Sequence, residues 1–137
     1  MYSNIMVPVS LAHIDQIDKA LKVAADLARH YGAKVHYVGV TSALPSEIAH
    51  NAEEYAEKLK AFAKQQASTH NINAEPHTLI SHDPAVDLDL ILEHAEVTIC
   101  ADLVVMASHL PSFADHLTGS HGGHLASHSQ ISVFVVR

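Results

Sequence analysis

The sequence is poor in cysteine and contains no long apolar run. Its single cysteine, Cys100, excludes an intrachain disulfide and favours a reducing compartment. Cys100 stands between Ile99 and Ala101, and this apolar context predicts a buried, unreactive thiol. No apolar run approaches the roughly 20 residues of a membrane-spanning helix, and no signal peptide precedes the first predicted strand. We therefore expect a soluble cytoplasmic protein that does not insert into membranes.

Basic residues are also scarce. Eight Lys and Arg residues stand against fifteen Asp and Glu, which leaves a formal net charge of −7. A surface that binds DNA or RNA needs clustered basic side chains to neutralise phosphates, and here they are scattered. We therefore expect no nucleic-acid partner. A length of 137 residues with 48% hydrophobic and 17% charged residues fits one globular domain over residues 1–137.

Apolar runs and helical periodicities alternate along the chain. The first predicted strand covers residues 5–9, with Pro8 at its end because proline cannot donate a ladder hydrogen bond. A helix is predicted over residues 13–31, and Gly32 is its expected stop. The remaining predicted elements are strands over 35–40, 75–80, 102–107 and 131–136, and helices over 46–68, from Pro84 onward and after Gly119.

This alternation predicts an α/β fold: a Rossmann-like, doubly wound, five-stranded parallel sheet with helices on both faces. Pro76 marks the third strand as an edge, and right-handed crossovers then favour the strand order 3-2-1-4-5. That order reverses between the first and fourth strands, so a crevice is expected above their carboxyl ends. The polar and small residues at those ends, Val9-Ser10 and residues 107–109, are therefore candidates for ligand contact.

A glycine and a serine precede the last predicted helix. Gly119-Ser120 would offer free backbone N–H groups and a hydroxyl, which together favour an anion such as phosphate. The alternative is that the glycine only permits a turn and the serine only caps the helix.

Three stretches of the chain carry a resemblance to a known family. They are the opening Asn-Ile-Met-Val-Pro-Val, the run Val-Val-Met-Ala-Ser-His with the later Gly-Ser, and the closing Ser-Val-Phe-Val-Val-Arg. Together they resemble the universal stress protein family over residues 5–137. The Ser-His-x-Pro pattern followed by Gly-Ser is similar to a subgroup with a shorter loop. The resemblance implies the same strand order, 3-2-1-4-5.

The resemblance also implies a nucleotide site. Nucleotide-binding members carry Gly-x2-Gly-x9-Gly-Ser/Thr, whose backbone and hydroxyl groups hold ribose and phosphates. Here Ala107 and Leu110 replace the two early glycines, and the stretch to Gly119 is one residue shorter. Ser10 stands where those members usually have an aspartate, which weakens the case for Mg²⁺ because that ion prefers carboxylates and phosphates. Val40 is implied to offer its backbone to an adenine.

These arguments predict a protein that binds ATP or a related adenine nucleotide in a stress-response or regulatory role, with Mg²⁺ as an optional companion of the phosphates. No catalytic residue is assigned, and hydrolysis is expected to be slow at most, because no general base or metal carboxylate is evident. The alternative is a dimeric module that regulates a protein partner without nucleotide, which the replaced glycines favour. The candidate nucleotide-binding residues are Pro8, Val9, Ser10, Val40, Met106, Ala107, Ser108, His109, Gly119, Ser120 and His121.

The chain contains thirteen histidines. His121, His124 and His128 would share one face of a helix, and two of them could bind Zn²⁺. A zinc site normally needs a third or fourth ligand with supporting partners, and no cysteine lies nearby in the sequence. We therefore predict partly exposed histidines on this helix and no metal site.

The last strand is predicted to form the second edge of the sheet. Residues 131–136 are dense in β-formers, and an exposed apolar edge invites pairing with another strand. Members of the resembled family often dimerise through this strand, so a homodimer is expected here. The alternative is an edge that is covered by helices of the same chain.

Overall fold

Strands and α-helices alternate in the computed structural model, which describes residues 1–108 and 121–137, and a short 3-10 helix (Leu11–His13) precedes the first α-helix. All strands are parallel, in the order β3-β2-β1-β4-β5, which confirms the predicted fold and topology. The elements are β1 (Asn4–Val9), α1 (Ile14–Tyr31), β2 (Lys34–Thr41), α2 (Ala52–His70), β3 (Asn73–Ile80), α3 (Pro84–Ile99), β4 (Leu103–Ala107), α4 (His121–His128) and β5 (Ser132–Val136).

Two helical layers cover the sheet. Arg29 of α1 donates a hydrogen bond to the backbone oxygen of His70 in α2, at 2.8 Å, so these two helices share one face. On the other face, Nδ1 of His124 in α4 lies 3.4 Å from Oδ2 of Asp89 in α3. Right-handed crossovers require this arrangement when the strand order reverses after β3. None of the helices in the described parts of the chain is long and apolar enough to cross a membrane.

The second helix begins later than the sequence pattern indicated. It starts at Ala52, where Oδ1 of Asn51 accepts the backbone N–H of Glu54 at 2.8 Å. Ser46, the predicted start, instead closes a turn, because its N–H donates to the oxygen of Ala49 at 2.8 Å. The prediction of a helix from residue 46 was therefore wrong: two polar residues could cap a helix here, and the tertiary structure uses the second.

The prediction of a buried cysteine was also wrong. Cys100 is exposed and follows the last residue of α3, in the left-handed conformation with φ 56°. Its backbone N–H donates to the oxygen of Val97 at 3.1 Å, which ends the helix. Because the chain turns at this point, the thiol lies outside the apolar layer that its sequence neighbours suggested.

Asp102 connects the beginnings of the two central strands. Its carboxylate accepts the backbone N–H of Ser3 at 2.7 Å and that of Asn4 at 3.0 Å. Its own N–H donates to the oxygen of Asn4 at 3.0 Å. These three bonds precede the pairing of Ile5 with Leu103, and they therefore help to set the register between β1 and β4.

Candidate functional site

The strand order reverses between β1 and β4, which predicts a crevice between their carboxyl ends. β1 pairs with β2 along its whole length, whereas it pairs with β4 only at Ile5 and Met6. The backbone oxygen of Asn4 accepts from Asp102, so Asn4 faces β4, and by the two-residue period of a strand so does Pro8. Pro8 has no N–H to continue this ladder. The two strands can therefore separate beyond Met6, as the reversal of strand order at this point requires.

The structure brings most of the predicted site residues to the carboxyl-terminal end of the sheet. Pro8, Val9 and Ser10 end β1 or follow it directly, and all three are buried. From β4 come Met106 and Ala107, both buried, and Ser108, which is half-buried. The N–H of Ser108 donates to the oxygen of Val136 at 2.9 Å. Val40 is buried and stands one residue before the end of β2.

The structure does not describe the residues that are predicted to contact phosphate. His109, Gly119 and Ser120 lie outside the described residues. His121 begins α4, and its side chain is likewise outside the description. Phosphate contact by Gly119 and Ser120 therefore stays a prediction.

Gly39 allows α2 to pack closely on β2 beside the crevice. It pairs in register with Val9 and precedes Val40. A Cβ at this position would lie 2.6 Å from Oη and 2.8 Å from Cε1 of Tyr55 in α2. Tyr55 is buried, and burial raises the pKa of its phenol to about 12, so the ring stays neutral. A glycine inside a predicted strand was the sequence signal for this close approach, and the sequence reasoning did not use it.

The whole chain, residues 1–137, matches the family described as the universal stress protein family. This chain belongs to the universal stress protein family. Universal stress protein G of Escherichia coli O157:H7 is 29% identical over 149 aligned residues, which cover 100% of both chains. The predicted membership of this family is thereby confirmed, and the subgroup with the shorter loop stays a prediction.

Two solved structures show how widely this fold is shared. A universal stress protein in complex with cAMP aligns with a TM-score of 0.70 and 19% identity, over 99% of this chain and 97% of that one. A universal stress protein from Archaeoglobus fulgidus in complex with dAMP aligns with a TM-score of 0.63 and 21% identity, over 99% and 98% of the two chains. At these identities the two comparisons establish the fold.

This universal stress protein also carries a polar cluster away from the crevice. His36 on β2 and His77 on β3 are joined by a contact of 2.9 Å between Nδ1 of His36 and Nε2 of His77. Oε2 of Glu75 lies 3.8 Å from Nδ1 of His36. The three donor atoms all lie within 4.8 Å of one another, close enough to share a metal ion. Glu75 and His77 share one face of β3, being two residues apart, but no local pattern in the sequence brings His36 to them, because that contact depends on the register of β2 and β3.

The cluster is held in the protonation state that metals prefer. Burial lowers the pKa of both His36 and His77 below the ordinary value. The hydrogen bond from Lys34 to Glu75, at 2.7 Å, holds the pKa of that carboxyl below its usual range. At neutral pH the imidazoles are therefore neutral and the carboxylate is ionised.

A cavity of about 540 Å³ lies at the opposite end of the sheet, between the end of α3 and the start of β5. Glu96 lines it and is buried. Oε2 of Glu96 accepts a hydrogen bond from Ser129 at 2.7 Å, while its Oε1 has no partner within the described chain. Burial raises the pKa of Glu96. None of the described residues that line the cavity is among residues 8–10 or 106–108.

The predicted histidine face of α4 is confirmed for two of its three members. The rings of His124 and His128 stack with their centroids 4.2 Å apart, and both side chains are exposed. Nδ1 of His128 contacts the backbone oxygen of His124 at 2.9 Å, which occupies one of its two ring nitrogens. The side chains of His124 and His128 therefore lie on a solvent-exposed surface of α4.

Proposed function

We propose that this protein binds an adenine nucleotide, ATP or a close relative, in the crevice between β1 and β4, and acts in a stress-response or regulatory role in the cytoplasm. The observation that carries the proposal is the end of the β1–β4 ladder after Met6, so that Pro8, Ala107 and Ser108 lie beyond the paired part of the two strands. Small side chains let a ligand approach the backbone. The complexes of two family members with cAMP and dAMP support an adenine nucleotide as the ligand.

We propose that the protein binds the nucleotide without hydrolysing it efficiently. The crevice residues 8–10 and 106–108 contain no carboxylate, and Ser10 can donate and accept hydrogen bonds but carries no charge. Mg²⁺ would therefore depend mainly on the phosphates for its ligands. We propose that any ATP hydrolysis is far slower than the enzyme median of about 10 per second.

Calorimetric titration with AMP, ADP, ATP and cAMP tests the nucleotide proposal. Ser120→Asp would place a carboxylate beside the predicted phosphate position, and we expect it to weaken ATP binding at least about tenfold by charge repulsion. Ser120→Asn has nearly the same size without the charge and should retain most of the affinity. Ser127→Asp, on the exposed surface of α4, controls for the added charge alone.

An absence of heat with every nucleotide at millimolar concentration would contradict the proposal. The alternative would then take its place: an interaction module that dimerises and regulates a protein partner without nucleotide. Equal weakening by the aspartate and asparagine variants would instead argue that Ser120 acts through shape and not beside a phosphate.

We further propose that two copies form a homodimer through β5. The oxygen of Val136 faces β4, where it accepts from Ser108, so by the two-residue period Val133 and Val135 direct their backbone groups away from β4. No strand in the described parts of the chain pairs with this edge. Phe134 leaves 47% of its surface exposed on the same strand. Antiparallel pairing of two copies of β5 about a two-fold axis would satisfy the backbone hydrogen-bonding groups of this edge and give a closed dimer.

Light scattering after gel filtration tests the dimer. The wild type should have twice the mass of the 14.8 kDa chain at micromolar concentration. Val133→Pro removes an N–H that faces away from β4, and we expect it to yield monomers that remain folded. Val86→Glu, at an exposed apolar position on α3, should leave the mass unchanged. A wild-type mass of one chain would contradict the proposal.

A further inference from the structure

We propose that His36, Glu75 and His77 form a binding site for a divalent transition-metal ion, with Zn²⁺ as the probe, distinct from the nucleotide crevice. The cluster lies on the face of the sheet covered by α3 and α4, towards the amino ends of β2 and β3, whereas the crevice lies at the carboxyl ends of β1 and β4. The two sites can therefore be tested independently.

The donor atoms suit this class of ion. Two imidazole nitrogens and one carboxylate oxygen are a ligand set of open zinc sites, in which a water molecule takes the fourth position. His36 is buried, His77 is half-buried, and the side chain of Glu75 remains 48% exposed. The cluster thus has a desolvated inner side and a side that is open to solvent, through which an ion and its water can enter.

The distances are close to those that a tetrahedral ion requires. Metal–ligand bonds of about 2.0 Å place neighbouring donor atoms about 3.3 Å apart. The His36–His77 nitrogens are 2.9 Å apart, and the Glu75 oxygen lies 3.8 Å from Nδ1 of His36. These two separations lie on both sides of the required value by about half an ångström, and the donor atoms of Glu75 and His77 lie within 4.8 Å of each other. The side chain of Glu75 is partly exposed and can rotate toward the two rings without moving the strands.

Neighbouring residues occupy one polar atom of His36 and one of Glu75 and leave the other atom of each for the cluster. Nε2 of His36 lies 3.1 Å from Oδ1 of Asn4, and Nδ2 of Asn4 donates to the oxygen of Cys100, which fixes the orientation of this amide. Because Oδ1 can only accept, Nε2 carries the proton and Nδ1 is free to bind a metal. Lys34 occupies the other oxygen of Glu75, Oε1, and leaves Oε2 on the side of His36.

The alternative to a metal ion is a hydrogen bond between the two histidine rings. Without metal, Nε2–H of His77 donates to Nδ1 of His36, and this hydrogen bond alone would satisfy both rings. A metal would replace it when the proton of His77 moves to its Nδ1, so neither ring needs to lose a net proton. The test must therefore distinguish a stoichiometric metal site from a hydrogen-bonded pair that also binds ions weakly.

The experiment titrates Zn²⁺ into the untagged full-length protein in competition with a chromogenic chelator. We expect one ion per chain with a Kd on the order of 1 µM or below. His77→Gln removes a ligand from the open side of the cluster and should raise the Kd at least about 100-fold, whereas Asn4→Ala should raise it about tenfold through loss of ring orientation. Circular dichroism checks that each variant is folded.

A matched control addresses the other histidines. His128→Gln removes an imidazole from the stacked pair on α4 and should leave the Kd unchanged. Co²⁺ supplies a second readout, because tetrahedral coordination gives intense visible absorption that should disappear in His77→Gln and Glu75→Gln. Equal Zn²⁺ binding by the wild type and His77→Gln would overturn the proposal. Loss of binding in His128→Gln would also overturn it, since the ion would then belong to α4.

Discussion

Gly39→Ala is expected to lower the free energy of unfolding by about 3 kcal/mol. The added methyl group would lie 2.6 Å from Oη and 2.8 Å from Cε1 of Tyr55, and 3.1 Å from Cδ2 of Leu59. Both neighbours are buried in the core between α2 and the sheet, so neither side chain can move into open space. The strand or the helix must shift instead, next to Val40 at the carboxyl end of β2. Urea denaturation with linear extrapolation measures the loss.

Two further variants isolate the cause of this loss. Gly32→Ala meets no atom within 4 Å but stands at φ +66°, so it should cost only about 1 kcal/mol, from backbone strain. Tyr55→Phe removes the closest contacting atom, and in combination with Gly39→Ala it should recover about 1 kcal/mol relative to additive behaviour. If Gly39→Ala costs no more than Gly32→Ala, α2 does not pack on β2 as tightly as the structure indicates.

Asp102→Ala is expected to destabilise the protein by about 2 kcal/mol. The substitution leaves the N–H groups of Ser3 and Asn4 without the carboxylate that accepts them at 2.7 and 3.0 Å. These bonds join the beginning of β1 to a residue almost a hundred positions later, so their loss should also loosen the β1–β4 pairing. Urea denaturation gives the change in stability, and hydrogen exchange should be faster at the amides of Ser3 and Asn4.

The exposed carboxylate of Asp18 is the matched control. It forms an ion pair with Lys22 at 2.7 Å on the surface of α1, and Asp18→Ala should cost less than about 0.5 kcal/mol. Asp102→Asn keeps one acceptor oxygen and should fall between the alanine variant and the wild type. Equal effects of Asp102→Ala and Asp18→Ala would show that the bonds of Asp102 contribute little to the register of the central strands.

The sequence predicts a structural feature best where a local property of one residue is enough to determine it. Pro8 and Pro76 each lack an N–H, and this single fact predicts the end of the first strand and the edge position of β3, both of which the structure has. The strand order then places residues 8–10 and 106–108 together at the carboxyl-terminal end of the sheet. The phosphate role of Gly119-Ser120 stays a prediction, since these residues lie outside those described.

The sequence by itself thus determined the alternation of strands and helices and the order of the sheet, and with them the strand ends where a crevice is predicted, because periodicity, proline and crossover handedness are local or topological properties. Only the tertiary structure decided the start of α2 at Ala52, the exposure of Cys100 and the meeting of His36 with His77. The two histidines are separated by 41 positions in the chain. Their contact depends on the register of β2 against β3, which the packing of both strands sets and no short pattern encodes.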